Sequence, residues 1–335
     1  MLLAFTCGIK IEEVLKMSNF YIYRKTLSFS LLKFALDILC LLLVVGLATA
    51  GFFLLGGMNG DSKALIGAII GLIIGVLGVV AISYLVINRV KAAQIAMMVK
   101  GVTEDSLPDH TFKAGFGEIK GRFAKITIFF VLTNAIKSVF RQIGRTINRI
   151  GTAFGGQAGN TVTSIIDSAI QTLIGYLCDC CLGWVFYRKE LNGFKAGMEG
   201  AAIFFKHGKT LFRNIGRIFG MGILSFLLIA GGLTGLFYLI FSNAPSVINP
   251  IVEAINSTAE SGSTTTATIV AFGLAFILAV VIWSMLHSVL VRPFILVGVM
   301  RNFMKSGIEH LPSEADMAEL SQKYPKFSKL QSRAE

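Results

Sequence analysis

The chain has 335 residues, of which 54% are hydrophobic and 15% charged, with 31 Lys and Arg against 19 Asp and Glu. Soluble domains carry about 25% charged residues, so this composition excludes a water-soluble globular protein, and its hydrophobicity excludes a disordered one. The net charge of +12 indicates contact with anionic lipid rather than nucleic acid, because long apolar runs accompany it.

The N-terminal region precedes every long apolar run. Met1–Lys16 lacks the basic start of a secretory signal peptide and carries two Glu residues directly after its short apolar stretch. Met17 opens a segment more typical of the start of a membrane protein. We therefore expect a cytoplasmic N-terminal segment over 1–27, with the true start at either Met1 or Met17.

Six apolar segments follow, and about 20 apolar residues are enough for a helix to cross the hydrocarbon core. Four segments are firm, whereas the third and fourth contain polar residues. In chain order the segments are Leu31–Leu55, Leu65–Ile87, Ile126–Phe140, Val162–Tyr187, Ile218–Phe241 and Thr268–Leu290. This pattern predicts an all-α, polytopic transmembrane helical bundle over 28–300, followed by a cytoplasmic tail over 301–335.

Basic residues predict the orientation, because Lys and Arg concentrate in cytoplasmic connections. They are frequent in the connections 89–125 and 188–217 and in both terminal regions, while the connection 242–266 has none. We therefore expect amphipathic cytoplasmic connections, cytoplasmic termini and a multi-pass protein of the plasma membrane.

One basic stripe does not fit this orientation. Lys137, Arg141, Arg145 and Arg149 are four residues apart, which places them along one side of a helix in a connection that six full spans would put outside. Two alternatives remain open: the helix extends beyond the bilayer on the outside, or the third and fourth segments form a hairpin that enters from the cytoplasm without crossing.

Four glycines lie on one face of the second span, where small residues let helices approach closely. They are Gly67, Gly71, Gly75 and Gly78. We favour packing within the bundle; the alternatives are a homo-oligomer through this face and a groove that faces a pore.

Polar residues in the predicted segments are the candidate site, because such groups are costly in a membrane and often mark a solute or ion path. We expect Lys137 and Arg141 to pair with Asp167 and Asp179. The alternative is purely structural ion pairs. The full candidate set is Asp37, Lys137, Arg141, Asp167, Gln171 and Asp179.

No pattern indicates catalysis, a metal or a cofactor. Cys178, Cys180 and Cys181 lack the spacing of a zinc site and have no second Cys or His cluster nearby in the sequence. No catalytic motif is readable, so we expect no enzyme activity. A second basic face, with Phe204 and Phe205 among its apolar anchors, is expected to lie on anionic lipid. The basic residues expected to face lipid are Arg145, Arg149, Lys206, Lys209, Arg213 and Arg217.

The polar tail contains one predicted helix. Ser313 followed by Asp316 is typical of a helix N-cap with an acidic first turn. The helix should run from about Glu314 to Lys323, and Pro325 should end it.

Several segments, taken in order, resemble the C-terminal half of choline transporter-like proteins: AIKSVFRQIGRTINR (135–149), LCDCCLGW (177–184), GAAIFFKHGKTLFRNIGRI (200–218) and MRNFMKSG (300–307). The layout, with AAQIAMMVKG (92–101) and FKAGFGEIKGRF (112–123), is also similar to a group of uncharacterised bacterial six-span membrane proteins. The resemblance implies a transporter or channel for a small solute or ion. The alternative is a non-transporting scaffold that binds anionic lipid or a protein partner through its basic amphipathic helices.

Overall fold

The structure is a computed structural model that describes most of the chain, namely residues 17–55, 63–122, 131–139, 141, 159–212, 215–258 and 266–332. All regular elements in these ranges are helical, which confirms the predicted all-α class. The basic stripe extends into 142–158 and the third segment begins within 123–130, and both ranges lie outside the described residues.

Four described helices are long and apolar enough to cross a membrane. They are Asn19–Leu54, Ala64–Thr103, Ile218–Ser242 and Ala267–Glu309. They contain the four firm predicted segments, so this part of the prediction is confirmed by length and composition. The third and fourth segments do not reach the same criterion among the described residues, and a total of six membrane segments stays a prediction.

The first two long helices form a tight pair. The elements are α1 (Asn19–Lys25), α2 (Leu27–Leu54) and α3 (Lys63–Ile82). Ser18 caps α1 by accepting a hydrogen bond from the Tyr21 N–H at 3.1 Å. The outward side chains of the pair are apolar, and Leu42 and Leu77 are each 63% exposed. Such surfaces fit contact with lipid rather than with water.

Two of the long helices continue well past their apolar parts. The first consists of α3, a π-helical turn (Ser83–Ile87) and α4 (Asn88–Thr103); the second consists of α12 (Ala267–Leu286), a π-helical turn (His287–Val291) and α13 (Arg292–Glu309). At 1.5 Å per residue each measures roughly 60 Å, about twice the 30 Å of a hydrocarbon core. Part of each must therefore lie outside the bilayer.

The chain forms two compact units, Met1–Ile215 with Pro293–Glu335, and Gly216–Arg292. The larger unit contains α1 to α4 and most of α13. Its remaining helices are α5 (Thr111–Arg122), α6 (131–139), α7 (Gly159–Tyr187), α8 (Gly193–Phe212), α14 (Glu314–Lys323) and α15 (Pro325–Gln331).

The tail helix was predicted correctly. Helix α14 has the expected bounds, and Ser313 and Asp316 form a capping box. Pro325 does not simply end the helix, however; it opens α15, in keeping with the preference of proline for the first turn.

The smaller unit is a hairpin of two spans. It contains α9 (Ile215–Ser225), a π-helical turn (Phe226–Ala230), α10 (Gly231–Ser242), the short α11 (Pro245–Thr258) and α12. Helix α10 packs along α12. Ile248 of α11 is buried against Val270 and Ala271 of α12, so α11 closes the end of the hairpin.

Candidate functional site

The best-packed region of the larger unit is a layer of helices outside its apolar spans. We call it the helical layer, and it consists of α4, 174–186 of α7, 193–204 of α8 and 293–309 of α13. Eleven of the 16 residues of α4 are buried, whereas α2 buries three of its 28. The core of this unit therefore lies in the continuations of its spans.

Trp184 is the centre of the helical layer and is fully buried. Its ring contacts Phe303 edge to face, with the centroids 6.2 Å apart. Its indole Nε1 donates to Glu199 Oε2 at 3.2 Å, and Arg188 Nη1 lies 3.1 Å from the same oxygen. A Cβ added at Gly307 would lie 2.7 Å from the Trp184 ring, so any larger residue there would force the ring or α13 to shift.

Asp179 is buried in the helical layer and pairs with Lys91 of α4, with Nζ and Oδ1 2.5 Å apart. The partner predicted from the sequence was Lys137 or Arg141. Lys91 was not predicted because 89–125 was interpreted as a connection, whereas α4 continues the helix through Lys91. The only sequence signal for Lys91 was its place one helical turn after Ile87, where the apolar run ends.

The position of this ion pair bears on its role. Lys91 follows Ile87 by four residues, which is about 6 Å along a helix. The run that precedes it, 65–87, is already long enough to cross the hydrocarbon core. A span over 65–87 would therefore put the Lys91–Asp179 pair at or beyond the edge of the hydrocarbon core.

The structure places the other polar candidates on separate elements. Asp37 is half-buried on α2, Lys137 is half-buried on α6, and Arg141 and Gln171 are exposed. The side chain of Asp167 lies outside the described residues, and so do Arg145 and Arg149. Among these six polar candidates, the structure thus gives a defined ion pair for Asp179.

The four glycines of α3 face α2. A Cβ added at Gly67 would lie 2.1 Å from the Gly51 carbonyl oxygen, and one at Gly71 would lie 2.0 Å from that of Leu47. Gly75 and Gly78 likewise approach Val44 and Leu43 of α2. The face is thus occupied within the chain, and a homo-oligomer through it stays a prediction.

The described part of the second basic face contacts the tail. Lys206 Nζ lies 2.7 Å from Asp316 Oδ2 of α14. Phe205 stacks on Tyr324 with ring centroids 4.9 Å apart, and Phe204 is buried. Lys206 nevertheless remains exposed, so the expectation that this face anchors in lipid stays a prediction. The remaining side chains of this face lie outside the described part: Lys209, Arg213 and Arg217.

Long-range hydrogen bonds hold the start of α1 against the helical layer. Arg301 Nε of α13 donates to Asn19 Oδ1 at 2.8 Å, and its Nη2 donates to the Met17 carbonyl oxygen. The Met17 N–H donates to Asp105 Oδ1 at 3.2 Å. The segment directly before the first span is therefore fixed by α13 and by the end of α4.

Cys178, Cys180 and Cys181 are buried thiols that form no disulfide. In the part of the chain that the structure describes, no three His, Cys, Asp or Glu side chains are arranged to hold a metal ion.

Two of the cavities among the described residues open on the larger unit. One, of about 220 Å³, lies between α4, α5 and the end of α7, and Lys189 pairs with Glu118 beside it at 2.7 Å. The other, of about 670 Å³, lies between α1, the start of α2 and the start of α5.

Comparisons with protein-family models, curated proteins and solved structures found no match for this chain. The resemblance to choline transporter-like proteins therefore stays a prediction that rests on the segments quoted above.

Proposed function

We propose that this chain is a non-transporting scaffold of the plasma membrane, with both termini in the cytoplasm, and that it binds anionic lipid through the basic ends of its spans. One observation carries the proposal: the packed core of the larger unit is the helical layer, which lies outside the apolar spans of that unit. A layer of this kind is suited to holding charged groups at a fixed height beside the bilayer.

The distribution of charge supports the same proposal. Arg24 and Lys25 precede the first span, Arg89 follows the second, and Arg292 begins α13 after the fourth. These are the cytoplasmic ends under the positive-inside rule, and each basic residue near an anionic surface contributes about 1 kcal/mol of attraction. The described part of the connection between α10 and α12 carries no Lys or Arg.

Passage of a small solute or ion is the second candidate, and the ion pair of Lys91 with the buried Asp179 favours it. Paired ionisable groups are typical of proton and ion pathways. We rank it second because Lys91 lies past the apolar run of its helix, where an ion pair does not need a transport role to be stable.

Reconstitution separates the two candidates. With the full chain in vesicles, electron spin resonance should show more restricted spin-labelled phosphatidylglycerol than spin-labelled phosphatidylcholine. The preference should decrease between about 0.1 M and about 1 M salt, because the Debye length falls from about 10 Å to about 3 Å.

The same vesicles should show no ion conductance above that of protein-free vesicles. A conductance that the Asp179→Asn variant abolishes, while the Glu309→Gln variant on the exposed end of α13 retains it, would establish the transport candidate instead. Equal restriction of the two spin-labelled lipids would contradict the scaffold proposal.

A further inference from the structure

The larger cavity lies beside the start of the first span and has no role in the contacts described above. Its volume is about 670 Å³, within the range of about 300–1,000 Å³ that is usual for small-molecule sites. Arg24, Lys25 and Ser28 line one side, and residues 109–113 line the other. Two elements about 85 residues apart in the sequence thus contribute to one concave surface.

The cavity is rich in positive charge. Arg24, Lys25 and Lys113 line it, together with a single carboxylate, Asp109, and the titratable His110. Neither Arg24 nor Lys113 takes part in an ion pair with any residue that the structure describes. Three cations against one carboxylate favour an anionic ligand, and guanidinium and ammonium groups are the usual ligands of phosphate in proteins.

The wall behind these cations is firmly packed. Phe112, which lines the cavity, stacks on the fully buried Phe29 with ring centroids 5.0 Å apart. Thr111 is buried, and its hydroxyl donates to the Pro108 carbonyl oxygen at 2.9 Å. The start of α5 is therefore held in place before a ligand arrives, which lowers the entropy cost of binding.

The cavity also lies at the height of lipid headgroups. Ser28 precedes Leu31, the start of the first apolar run, by three residues, or about 4.5 Å along the helix. Phe20 and Tyr21 of α1 are exposed, as is usual for aromatic side chains at a membrane interface.

We propose that this cavity binds the phosphate group of an anionic phospholipid, with Arg24, Lys25 and Lys113 as its ligands. The inference rests on the proposed function, because it names one specific site for the anionic lipid. It goes further in that a defined cavity, rather than the general charge of the surface, selects the lipid.

The test uses the full chain in phosphatidylcholine nanodiscs with a minor fraction of phosphatidylglycerol, and native mass spectrometry counts the lipids retained. The Arg24→Gln/Lys113→Gln variant should lower the preference for phosphatidylglycerol about tenfold, the change that 1.4 kcal/mol of lost binding energy produces. The matched control, Lys120→Gln/Lys329→Gln, removes the same charge from α5 and α15 outside the cavity and should keep the preference.

Each further outcome has a defined meaning. An equal loss in the cavity variant and the control would overturn the site but leave the general attraction to anionic lipid intact. No preference for phosphatidylglycerol in the unaltered chain would contradict the proposed function itself. If the double variant does not fold, Lys25→Gln alone should still lower the preference, and an unchanged preference in that variant would overturn the site.

A second arm distinguishes a lipid from free phosphate. Phosphorus NMR of inorganic phosphate is recorded with the protein in detergent and without phospholipid. The phosphate line should be no broader with the unaltered chain than with the Arg24→Gln/Lys113→Gln variant. Broadening that only the unaltered chain and the Lys120→Gln/Lys329→Gln control produce would assign the cavity to soluble phosphate and overturn the lipid assignment.

Discussion

At the scale of single residues, the contacts of Glu199 are the clearest example of how the helical layer tolerates a buried charge. The carboxylate accepts from the Trp184 indole and pairs with Arg188, whose guanidinium also lies 6.0 Å from the Trp184 ring centre. A buried charge that loses its partner is costly, whereas replacement of the whole pair by apolar residues of similar size is often neutral.

Arg188→Met should therefore lower the free energy of unfolding by about 3 kcal/mol, because it leaves the Glu199 carboxylate buried without its cation. Arg188→Met/Glu199→Gln should recover most of that loss, because it removes the buried charge while the amide oxygen can still accept from the Trp184 indole. Thermal unfolding in detergent, followed by tryptophan fluorescence, measures both effects. Lys305→Gln is the control, since Lys305 is 70% exposed and its pair with Glu309 is loose at 3.9 Å. A loss in the double variant as large as in the single one would contradict this account.

Close approach of α2 and α3 also depends on single residues. Gly71→Ala should destabilise the pair by about 2 kcal/mol, because the new Cβ would meet the Leu47 carbonyl oxygen and overpacking forces the backbones apart. Gly46→Ala on α2 is a matched control, because a Cβ there would meet nothing within 4 Å. Unfolding of the two variants in detergent compares them directly, and equal stability would argue against the observed packing.

At the scale of elements, the tail helices are part of the larger unit rather than a separate appendage. Helices α14 and α15 pack on α8 through Lys206–Asp316 and through Phe205 against Tyr324. The hydrogen bond from Lys206, and after it those from Ser313, hold the pKa of Asp316 well below its usual value. The ionised carboxylate is thus the form that the docked tail favours.

The sign of the pH dependence follows from this direction. A carboxyl group with a lowered folded-state pKa contributes stability above its ordinary value, near 3.8, and the contribution is lost as the pH falls through the lower folded-state value. The protection of the amides in 314–331 against hydrogen exchange, relative to the unfolded chain at the same pH, should therefore stay constant from about pH 7 down to about pH 4. It should fall only in stronger acid.

Asp316→Asn should remove much of that protection at about pH 7, because it removes the charge opposite Lys206 and leaves one acceptor oxygen in place of two for Lys206 and Ser313. Glu319→Gln, an exposed change on the same helix, should leave exchange unchanged. Similar exchange in Asp316→Asn and in the unaltered chain would show that the aromatic contacts alone hold the tail.

At the scale of the whole molecule, topology is the main expectation to test. Single cysteines at Glu253, Gly155 and Lys323 can be labelled with a maleimide that does not cross membranes, because the described native thiols are buried. Glu253→Cys should react in intact cells, and Lys323→Cys only after permeabilisation. Reaction of Gly155→Cys only after permeabilisation would establish the hairpin that does not cross, whereas reaction in intact cells would establish the extended outer helix.

The sequence was sufficient for the parts of this fold that depend on local patterns. Uninterrupted apolar runs predicted the four long helices, and the spacing of Ser313 and Asp316 predicted the bounds of α14. It was insufficient for contacts between distant residues, such as Lys91 with Asp179 and Phe205 with Tyr324. Those contacts require α4 to continue its span and the tail to fold back on α8, and neither event leaves a periodic signal in the chain.

The two π-helical turns that precede α4 and α13 have a geometric consequence. Each follows 20 residues of regular helix. Since an α-helix rotates by about 100° per residue, the wider turn changes the angular phase of everything after it. The helix that runs from α3 into α4 can thus turn one side toward lipid in α3 and a different side toward the packed core in α4. The apolar face of the span and the apolar face of its continuation can therefore point in different directions. A regular helix would fix the angle between these two faces.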